Sequence, residues 1–503
     1  MSPATPPLPL LAERSVPDFE GPHGFLDGEP EDGRGAPFET VFPVTGEVLA
    51  TLPSANPEDV DRAVISARRC FRLGSWRRLD GERRAEVFER LAEILLARQD
   101  ELVQQILFDN GKTAGEARID VLAAVGGCQR AAARCRQEAE RRLPAERGVD
   151  KLVWREPVGV VAGLTPYNAP LMFASLKALP ALAMGNSVVL KVSERAPLVA
   201  RELCRAASEA GLQPGALNLV HGGVETAAAL SAHSDVDLIS ITGGTTAGTA
   251  VMQAAAPTIK NLLLELGGKS AHIILADADL DQAVAAAVAG IFRNAGQRCF
   301  SGSRLLVDRR IADEVEARVI AAAEALVVGD PFDPATQVGP MIDQRAVQAA
   351  EQFVARAVAD GVHLATGGTP VPELGGGSFF RPTVLTGAHA RSYAAQEELF
   401  GPVLTVLRVD GVDQAIAVAN DSPYGLAGGV WTGDEPTALR IAREVRCGYF
   451  WINTYGAIFG DVPFGGYGRS GLGREAGEEG FDAYSEQKTV LIDRQGGASA
   501  PMF

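Results

Sequence analysis

The sequence lacks the arrangements that most often mark a disulfide scaffold or a metal site. Its 503 residues include six scattered cysteines with no Cys-x-x-Cys pair, and six histidines with no His-Glu-x-x-His. Six cysteines are too few to cross-link so long a chain, so we expect free thiols in a reducing compartment, the cytoplasm. We expect no metal site either, because zinc sites need clustered Cys and His ligands.

Secretory and membrane-spanning segments are also missing. The first eleven residues are rich in proline and lack the basic and apolar regions of a signal peptide. The longest uncharged stretch, 157–176, is long enough to test as a bilayer span. Pro166 and Pro170 lie inside it, and prolines break a continuous helix. We therefore expect no membrane partner.

Positive charge is in deficit. Lys and Arg number 47 against 63 Asp and Glu, which gives a formal net charge of −16. Such a surface repels phosphate backbones, so we expect no nucleic-acid partner. The 46% hydrophobic share is typical of a globular chain. At roughly 150 residues per domain, the length predicts about three folding units.

The order of strands and helices predicts an α/β fold. Short β-branched runs alternate with Ala-rich helical stretches over 158–266 and again over 271–327. Alternation of this kind predicts two α/β units, the first built on a parallel, doubly wound sheet. Upstream, apolar spacing predicts a hairpin over 38–52 and helices over 82–107 and 112–142, with a possible break at Gly126-Gly127.

An edge strand is predicted near the end of the chain, over 485–493, with 151–155 as its candidate partner. Two strands outside both α/β units would suit a protruding contact between subunits. We therefore expect a homodimer or homotetramer.

The usual dinucleotide fingerprint, Gly-x-Gly-x-x-Gly after a strand, is absent. Instead, a Gly-x4-Gly turn over 243–248 leads from a strand into a helix. Glycines at a helix N-terminus let the backbone approach a pyrophosphate, although the spacing alone is also that of an ordinary turn. Lys191 and Glu194 follow the preceding strand, where polar side chains can meet an adenosine ribose. Taken singly, each is better explained as a surface charge.

Three polar residues are candidates for chemistry. Cys299 follows a glycine and polar residues rather than an apolar run, and a thiol near backbone N–H groups and a cation can have a depressed pKa. Glu265 ends an apolar strand, where desolvation can raise the pKa of a carboxyl and make it a general base. Asn168 lies in a loop held by two prolines, so its amide is a candidate oxyanion donor. Taken one by one, a core thiol and a turn-forming Asn are the favoured explanations of Cys299 and Asn168, while a buried salt bridge or a helix cap explains Glu265 as well as a catalytic role does.

Taken together, these segments resemble the NAD(P)-dependent aldehyde dehydrogenase superfamily over nearly the whole chain. Nine motifs occur in the order of that family: Pro166-Tyr-Asn168, Lys191 to Glu194, the turn over 243–248, Glu265-Leu-Gly-Gly-Lys269, Gly296-Gln-Arg-Cys299, Glu398-Leu-Phe400-Gly-Pro402, Asn420-Asp-Ser-Pro-Tyr-Gly-Leu426, Trp451-Ile-Asn453, and Pro463-Phe-Gly-Gly466 with Gly473-Arg-Glu475. One such motif would be weak, whereas nine in order are specific. The resemblance implies a Rossmann-like doubly wound cofactor domain, a second α/β catalytic domain and a small β oligomerisation module.

The same resemblance implies roles for individual residues. Cys299 would be the nucleophile, Glu265 the general base, Asn168 an oxyanion donor, and Lys177 a lysine near the active site. The implied cofactor is NAD, and NADP is less favoured because Glu194 would repel a 2′-phosphate. The residues that would hold NAD are Thr165, Pro166, Tyr167, Lys191, Glu194, Gly243, Gly244, Thr245, Gly248, Leu266, Glu398 and Phe400. An apolar substrate pocket would be lined by Phe173, Leu176, Phe300, Ile458 and Phe459.

Three positions depart from the family pattern. Tyr167 replaces the usual Trp, Gly244 a common phosphate-binding Ser, and Tyr467-Gly468 the frequent Tyr-Lys. The first two can alter cofactor placement, and none removes a group that the chemistry needs. By resemblance the domain limits are 1–134 with 154–266 for NAD binding, 267–473 for catalysis, and 135–153 with 484–503 for oligomerisation and the tail.

The implied reaction is oxidation of an aldehyde to a carboxylic acid through a thiohemiacetal and a thioester on Cys299. Glu265 favours hydrolysis over transfer to coenzyme A, since relatives that acylate coenzyme A tend to lack it. A CoA-acylating enzyme and a non-catalytic binding protein on the same scaffold are the alternatives. The pocket residues suit aliphatic or aromatic aldehydes. Arg298 is a candidate for recruiting a carboxylate-bearing semialdehyde, although a surface or ion-pair role is favoured for it.

Overall fold

A computed structural model describes residues 8, 9, 11–146 and 148–494 of the chain. The start of the Pro-rich segment and the tail after residue 494 lie outside these residues. Strands β1–β22 and helices α1–α15 are numbered in chain order, and the strands form two large sheets and three small ones. The predicted α/β fold class is confirmed.

The first large sheet has eight strands, of which the central five run parallel. In spatial order they are β2 (Glu29–Pro30), β1 (Phe25–Leu26), β9 (Leu217–Val220), β8 (Ser187–Lys191), β7 (Val160–Leu164), β10 (Leu238–Thr242), β11 (Asn261–Glu265) and β21 (Gly471–Leu472). Strands β7, β8 and β10 are buried along their whole length, as expected for a parallel sheet covered by helices on both faces.

The second large sheet has seven strands, of which only the first is antiparallel to its neighbour. In spatial order they are β14 (His363–Thr366), β15 (Thr383–Thr386), β16 (Val403–Val409), β13 (Arg304–Asp308), β12 (Ala271–Ile274), β18 (Ala427–Trp431) and β19 (Tyr449–Ile452). Only the short loop after Glu265 separates β11 of the first sheet from β12 of the second. That loop therefore brings the two sheets together around one cleft.

Three small sheets complete the strands. They are the predicted hairpin β3 (Pro37–Val41) with β4 (Val48–Pro53), the ribbon β17 (Tyr424–Gly425) with β20 (Tyr467–Gly468), and a three-stranded sheet of β22 (Ser485–Asp493), β6 (Val149–Pro157) and β5 (Glu140–Glu146). In the last of these, Arg155 lies opposite Gln487 and Lys151 opposite Leu491, so the predicted pairing of 485–493 with 151–155 is confirmed.

Fifteen α-helices within the described residues cover the sheets. They are α1 (Pro57–Leu73), α2 (Gly81–Ala97), α3 (Gln99–Asn110), α4 (Ala114–Cys135), α5 (Pro170–Ala183), α6 (Ala200–Glu209), α7 (Val224–Ala232), α8 (Thr245–Ala255), α9 (Leu280–Phe292), α10 (Ala312–Ala325), α11 (Gln344–Ala359), α12 (Tyr393–Gln396), α13 (Gly411–Asn420), α14 (Glu435–Glu444) and α15 (Gly477–Asp482). Short 3-10 turns lie at Leu11–Glu13, Ala256–Thr258, Arg293–Gly296 and Pro372–Leu374. Within the described part of the chain, every helix is too short or too polar to cross a bilayer.

Local sequence explains where these helices begin and end. Asn56 caps α1, since its side chain accepts a bond from the Asp59 N–H at 2.9 Å while the Asp59 carboxylate accepts one from the Asn56 N–H at 3.2 Å. Gly74 ends that helix in a left-handed conformation. The apolar faces of α2, α4 and α5 pack together against the first sheet.

Two predicted helices are wrong in extent. The helix predicted over 82–107 is two helices that meet at Arg98, which begins α3 without a side-chain cap. The helix predicted over 112–142 ends at Cys135, and residues 140–146 are the strand β5. Arg- and Glu-rich residues favour a helix locally, but pairing with β6 holds this segment extended. No break occurs at Gly126-Gly127, because Gly127 lies against the Leu179 side chain of α5.

Candidate active site

The cleft between the two sheets opens at the carboxyl ends of β7, β8 and β10. It has a volume of about 660 Å³, and twelve of the predicted site residues line it: Thr165, Pro166, Tyr167, Asn168, Phe173, Lys191, Glu194, Gly243, Gly244, Cys299, Glu398 and Phe400. Ligands of open α/β sheets bind at this edge, where loops following neighbouring strands converge.

Three of the residues predicted to bind the cofactor do not line the cleft. Gly248 packs so closely on Leu266 that a β-carbon on it would lie 2.6 Å from a Leu266 methyl carbon. Their contact fixes α8 against the end of β11. Thr245 donates its hydroxyl to the Arg469 carbonyl at 3.3 Å. These residues support the cleft rather than face it.

One side of the cleft was missed by sequence reasoning. Helices α7 and α8 pack together, and their small side chains leave a groove lined by Ala227, Ala228, Ala247, Ala250 and Ala254. An Ala-rich helix face is common in any packed helix, so the sequence carried no specific signal here. A groove of this kind accepts a flat apolar ring.

The first turn of α8 has the features of an anion site. Gly244 is the residue before the helix, no side chain caps the turn, and nothing lies within 4 Å of the place where a β-carbon would be. The N–H groups of that turn are therefore open towards the cleft, with the positive end of the helix dipole behind them. Nearby, the Lys191 ammonium lies 3.2 Å from the Glu194 carboxylate. The residues present thus fit a pyrophosphate beside a ribose.

A strained loop presents Cys299. Asn294 and Ala295 both have positive φ angles, 52° and 50°, before Gly296 at 73°. Left-handed residues other than glycine are uncommon and cluster at functional sites. The Gln297 side chain braces the loop, because its amide donates to the Asn294 carbonyl at 3.1 Å and its oxygen accepts from the Ile342 N–H at 3.0 Å.

Asn168 lies beside that loop and is buried. Its amide donates to the Gln297 carbonyl at 2.9 Å, and the Asn294 amide donates to the Asn168 carbonyl at 3.0 Å. The Cys299 N–H donates to no other residue of the described chain. The Asn168 amide therefore lies against the loop that carries the free Cys299 N–H.

The pKa of the Cys299 thiol is raised, which corrects the depressed value expected from the sequence. Burial is the main cause, and the negative charges of Glu265 and Glu398 add to it. The Phe300 N–H and the Arg298 guanidinium act in the opposite direction but with smaller effect. The neighbouring cation that suggested a reactive thiolate is outweighed by desolvation, so the resting group is a neutral thiol.

Glu265 is buried and lies within electrostatic range of that thiol. Neither of its carboxylate oxygens makes a well-aligned hydrogen bond within the described residues, although the Gly466 N–H faces it. Burial and the charge of Glu475 raise the pKa of Glu265 well above its usual value, as the strand-end position predicted. Gly465 makes room for this carboxylate, since a β-carbon there would lie 2.8 Å from Oε1.

Behind this carboxylate is a buried ion pair. The Lys177 ammonium, fully buried in α5, bonds to the Glu475 carboxylate, which is 3% exposed. Glu475 and Phe464 exchange two backbone hydrogen bonds of 2.7 Å, so the ion pair is tied to the turn that faces Glu265. The sequence motifs include Glu475 but do not predict a role for it. The signal that could have indicated one is a carboxylate in a Gly-Arg-Glu sequence that follows a Gly-Gly turn.

Glu398 and Phe400 close the other end of the cleft. The Glu398 carboxylate accepts a bond from the Gly268 N–H at 3.0 Å, and burial raises its pKa to about 7. The Phe400 ring meets the Tyr167 ring edge-on at 5.9 Å. Tyr167 thus fills the position of the usual Trp and still provides an aromatic wall.

Of the five predicted pocket residues, Phe173 lines the cleft and the other four do not. Phe173 is buried and Leu176 is half-buried on α5, while Phe300 packs near Trp451 and Phe464 at ring distances of 6.0 and 6.1 Å. Ile458 and Phe459 are 43% and 61% exposed. Their use by a substrate stays a prediction.

Comparison with known proteins gives one consistent result. Residues 30–490 match the sequence profile of the aldehyde dehydrogenase family. The chain is 38% identical over 472 residues to betaine aldehyde dehydrogenase of Bacillus subtilis (strain 168), covering 93% of this chain and 96% of that protein. It is 39% identical over 459 residues to mitochondrial aldehyde dehydrogenase of Homo sapiens, covering 90% of this chain and 88% of that protein.

Solved structures agree. The crystal structure of betaine aldehyde dehydrogenase from Staphylococcus aureus in complex with NAD+ superposes with a TM-score of 0.92 at 36% identity, covering 94% of each chain.

Proposed function

This chain belongs to the aldehyde dehydrogenase family and is an enzyme that oxidises aldehydes, and we propose that it works through a thioester on Cys299 hydrolysed by water that Glu265 activates. The observation that carries this proposal is a thiol that lines the cleft beside the Asn168 amide, with a buried carboxyl of raised pKa, Glu265, acting on it. A covalent thioester needs both a soft nucleophile and a separate activator of water, and this site supplies both.

In the first step the Cys299 sulfur attacks the carbonyl carbon of the aldehyde and gives a thiohemiacetal. Its developing oxyanion is stabilised by the Asn168 amide and the Cys299 N–H. Donors of this kind contribute roughly 3–4 kcal/mol each in other enzymes. Because the pKa of the thiol is raised, its proton leaves to solvent as the bond forms, and Glu265 stays ionised for the later hydrolysis. Glu265 and Glu398 are the two carboxylates whose charges act on this thiol.

In the last step the thioester is hydrolysed. Glu265 takes a proton from water, the water oxygen adds to the acyl carbon, and the Cys299 sulfur leaves. A carboxyl whose pKa is raised towards neutrality suits this role better than an ordinary one, since general bases work best near the operating pH. The burial of Glu265 and its ordered but poorly bonded oxygens keep it available for such a water.

We assign the cleft to NAD. Lys191 and Glu194 would hold the adenosine ribose, the N–H groups after Gly244 the pyrophosphate, and Glu398 the nicotinamide ribose, with Phe400 beside the nicotinamide. When bound, NAD supplies the hydride acceptor for the oxidation. NAD is favoured over NADP because the Glu194 carboxylate would repel a 2′-phosphate, and the Staphylococcus aureus relative was crystallised with NAD+.

We further propose the domain limits that the resemblance implies: 1–134 with 154–266 for the cofactor, 267–473 for catalysis, and 135–153 with 484–503 for assembly. The three-stranded sheet supports a homo-oligomer. Leu491 on β22 is 62% exposed and Trp154 on β6 is 37% exposed, which is unusual for apolar side chains of a sheet. All six cysteines are free, which fits the expected reducing cytoplasm.

The proposal is tested by following NADH formation with a panel of neutral and anionic aldehydes, with and without coenzyme A. We expect turnover without coenzyme A and none in Cys299→Ala. Strict dependence on coenzyme A, or an active Cys299→Ala variant, would overturn it.

A further inference from the structure

Arg298 precedes the nucleophile and carries a charge that no described carboxylate neutralises. Its Nη2 donates to the carbonyls of Ala289 and Gly290 at 3.1 and 2.9 Å, in the last turn of α9. Its Nε makes no hydrogen bond and its Nη1 donates to none of the described residues. The side chain is half-buried. The surface or ion-pair role favoured from the sequence is therefore wrong.

The charged groups near Arg298 do not give its guanidinium a carboxylate partner. Glu116 is the carboxylate that acts on it, yet Glu116 already accepts bonds from the Asn294 N–H at 2.6 Å and from the Thr113 N–H and hydroxyl at 3.1 and 2.9 Å. Arg293, which is exposed on the same loop, adds a second positive charge. A local excess of guanidinium groups thus surrounds this side of the nucleophile in a chain whose net charge is −16.

A third arginine, Arg130, lies near the loop over 456–460, and Arg298 lies near the start of that loop. The place of a β-carbon on Gly456 is 3.7 Å from Arg298 Nη1, and the place of one on Gly460 is 2.3 Å from the guanidinium carbon of Arg130. Between these two glycines are the exposed side chains of Ile458 and Phe459. The loop over 456–460 is therefore flanked by two cations, Arg298 and Arg130, with apolar side chains between them. Arg130 has the Asp461 carboxylate near it, so Arg298 is the cation without one.

This loop lies next to the nucleophile and outside the cofactor cleft. The Tyr455 hydroxyl donates to the Phe300 carbonyl at 3.0 Å, which ties the start of the loop to the residue after Cys299. Cys299 lines the cleft, whereas Arg298 and Phe300 do not. The Arg298 guanidinium lies 4.9 Å from the centre of the Phe300 ring. An aldehyde that reaches Cys299 from this side therefore meets the Phe300 ring, and the Arg298 guanidinium with its free donors lies against that ring.

We propose, on the basis of the proposed function, that Arg298 binds a carboxylate at the far end of the substrate, so that the enzyme acts on oxo-acids in preference to neutral aldehydes. The planar guanidinium matches a carboxylate, and its position in a half-buried site strengthens their interaction. The methylene groups between carboxylate and aldehyde pack on Phe300. Arg298 is thus a specificity-determining residue that leaves the chemical steps to Cys299 and Glu265.

Capping the C-terminal end of α9 is the competing role for Arg298, since cations stabilise helix C-termini. The two roles differ in what a substitution changes. A cap affects folding and every substrate equally. A carboxylate site affects only substrates that carry the carboxylate, and it affects KM more than kcat.

The test compares kcat/KM for adipate semialdehyde and hexanal, and for succinate semialdehyde and butanal, at saturating NAD. We expect the wild type to prefer the anionic member of at least one pair. Arg298→Met should lower kcat/KM for that member at least about tenfold, mainly through KM. The neutral aldehydes should change by less than about twofold, and Arg298→Lys should fall between. Arg309→Met removes an exposed arginine paired with Asp410 and should change neither.

Equal losses for both members of a pair, or a wild type that prefers the neutral aldehydes, would overturn the assignment while leaving the proposed function intact. Absence of NADH formation with every aldehyde would instead contradict the proposed function. If Arg298→Met does not fold, inhibition of the wild type decides: adipate should compete with the aldehyde more tightly than adipamide, and equal inhibition would overturn the assignment.

Discussion

Lys177 and Glu475 form a buried ion pair that joins α5 to the turn facing Glu265, and both of their charges act on that carboxyl. Glu475 raises the pKa of Glu265, and Lys177 lowers it by less. The proton affinity of the general base is therefore set by two residues that lie far apart in the sequence. This arrangement makes the pH dependence of hydrolysis a test of the site.

Replacing Glu475 by Gln should move the acid limb of thioester hydrolysis to lower pH. The substitution removes a negative charge that raises the pKa of Glu265, and it frees the Lys177 charge to lower that pKa further. Glu265 then stays ionised to lower pH. The measurement is the decay of the acyl-enzyme after a single turnover, followed across pH.

The exposed neighbour Glu478 provides the control, since Glu478→Gln should leave the limb unmoved. Leaving Lys177 unpaired costs about 3–5 kcal/mol of stability, so the double variant Lys177→Met/Glu475→Gln is measured as well. It should move the limb in the same direction by less. A shift to higher pH in both Glu475 variants would contradict the account.

Alkylation of Cys299 in the absence of NAD should be slow at neutral pH and still rise above pH 9, near the ordinary pKa of a thiol. Burial and two carboxylates raise the pKa of this thiol, so the thiolate fraction keeps growing over that range. Iodoacetamide labelling followed by mass spectrometry measures the rate, with Cys299→Ala giving the background of the other thiols. A rate that reaches a plateau below pH 8 would mean a depressed pKa.

Substituting Glu194 by Gln should reduce the preference of the enzyme for NAD over NADP. The carboxylate is 42% exposed at the mouth of the cleft and 3.2 Å from Lys191. Without it, a 2′-phosphate meets the Lys191 ammonium and no opposing charge, so we expect the NADP-to-NAD ratio of kcat/KM to rise by about tenfold or more. An unchanged ratio would remove Glu194 from the ribose site.

Leu491→Glu on β22 should dissociate the proposed oligomer. β22 pairs with β6 on one side only within the described residues, and a charge in place of an exposed Leu on that edge strand opposes pairing with another copy. Sedimentation velocity should show smaller species than for wild type. Leu439→Glu, on α14 and 39% exposed, is the matched control. A wild type that sediments as a monomer would contradict the proposal.

The strands and motifs of the cleft could be predicted because each is determined by a short, continuous stretch of the sequence. The run 160–164 has no polar side chain and 238–242 is mostly apolar, and each is followed by polar or glycine residues at its carboxyl end. The burial of the site residues, and its effect on their pKa values, could not be predicted from the local sequence in the same way. The pKa of Cys299 depends on Glu265 and Glu398, which reach it from other elements.

Long-range pairing explains the other differences. The segment 140–146 has a helix-favouring composition but lies beside β6, and this contact outweighs local preference. Arginine is usually a surface residue, yet Arg298 donates to carbonyls of α9 and packs on the Phe300 ring, next to the nucleophile. The β6 partner of 140–146 and the α9 carbonyls that bind Arg298 come from other elements, so the residues next to each segment do not reveal them.

The most direct test of the central claim is the intact mass of Glu265→Gln after mixing with NAD and hexanal. Without its base, the enzyme should release one NADH per active site and then stop, and its mass should increase by one acyl group located on Cys299. Continued turnover at the wild-type rate, or a burst of NADH with no increase in mass, would contradict a Cys299 thioester hydrolysed through Glu265.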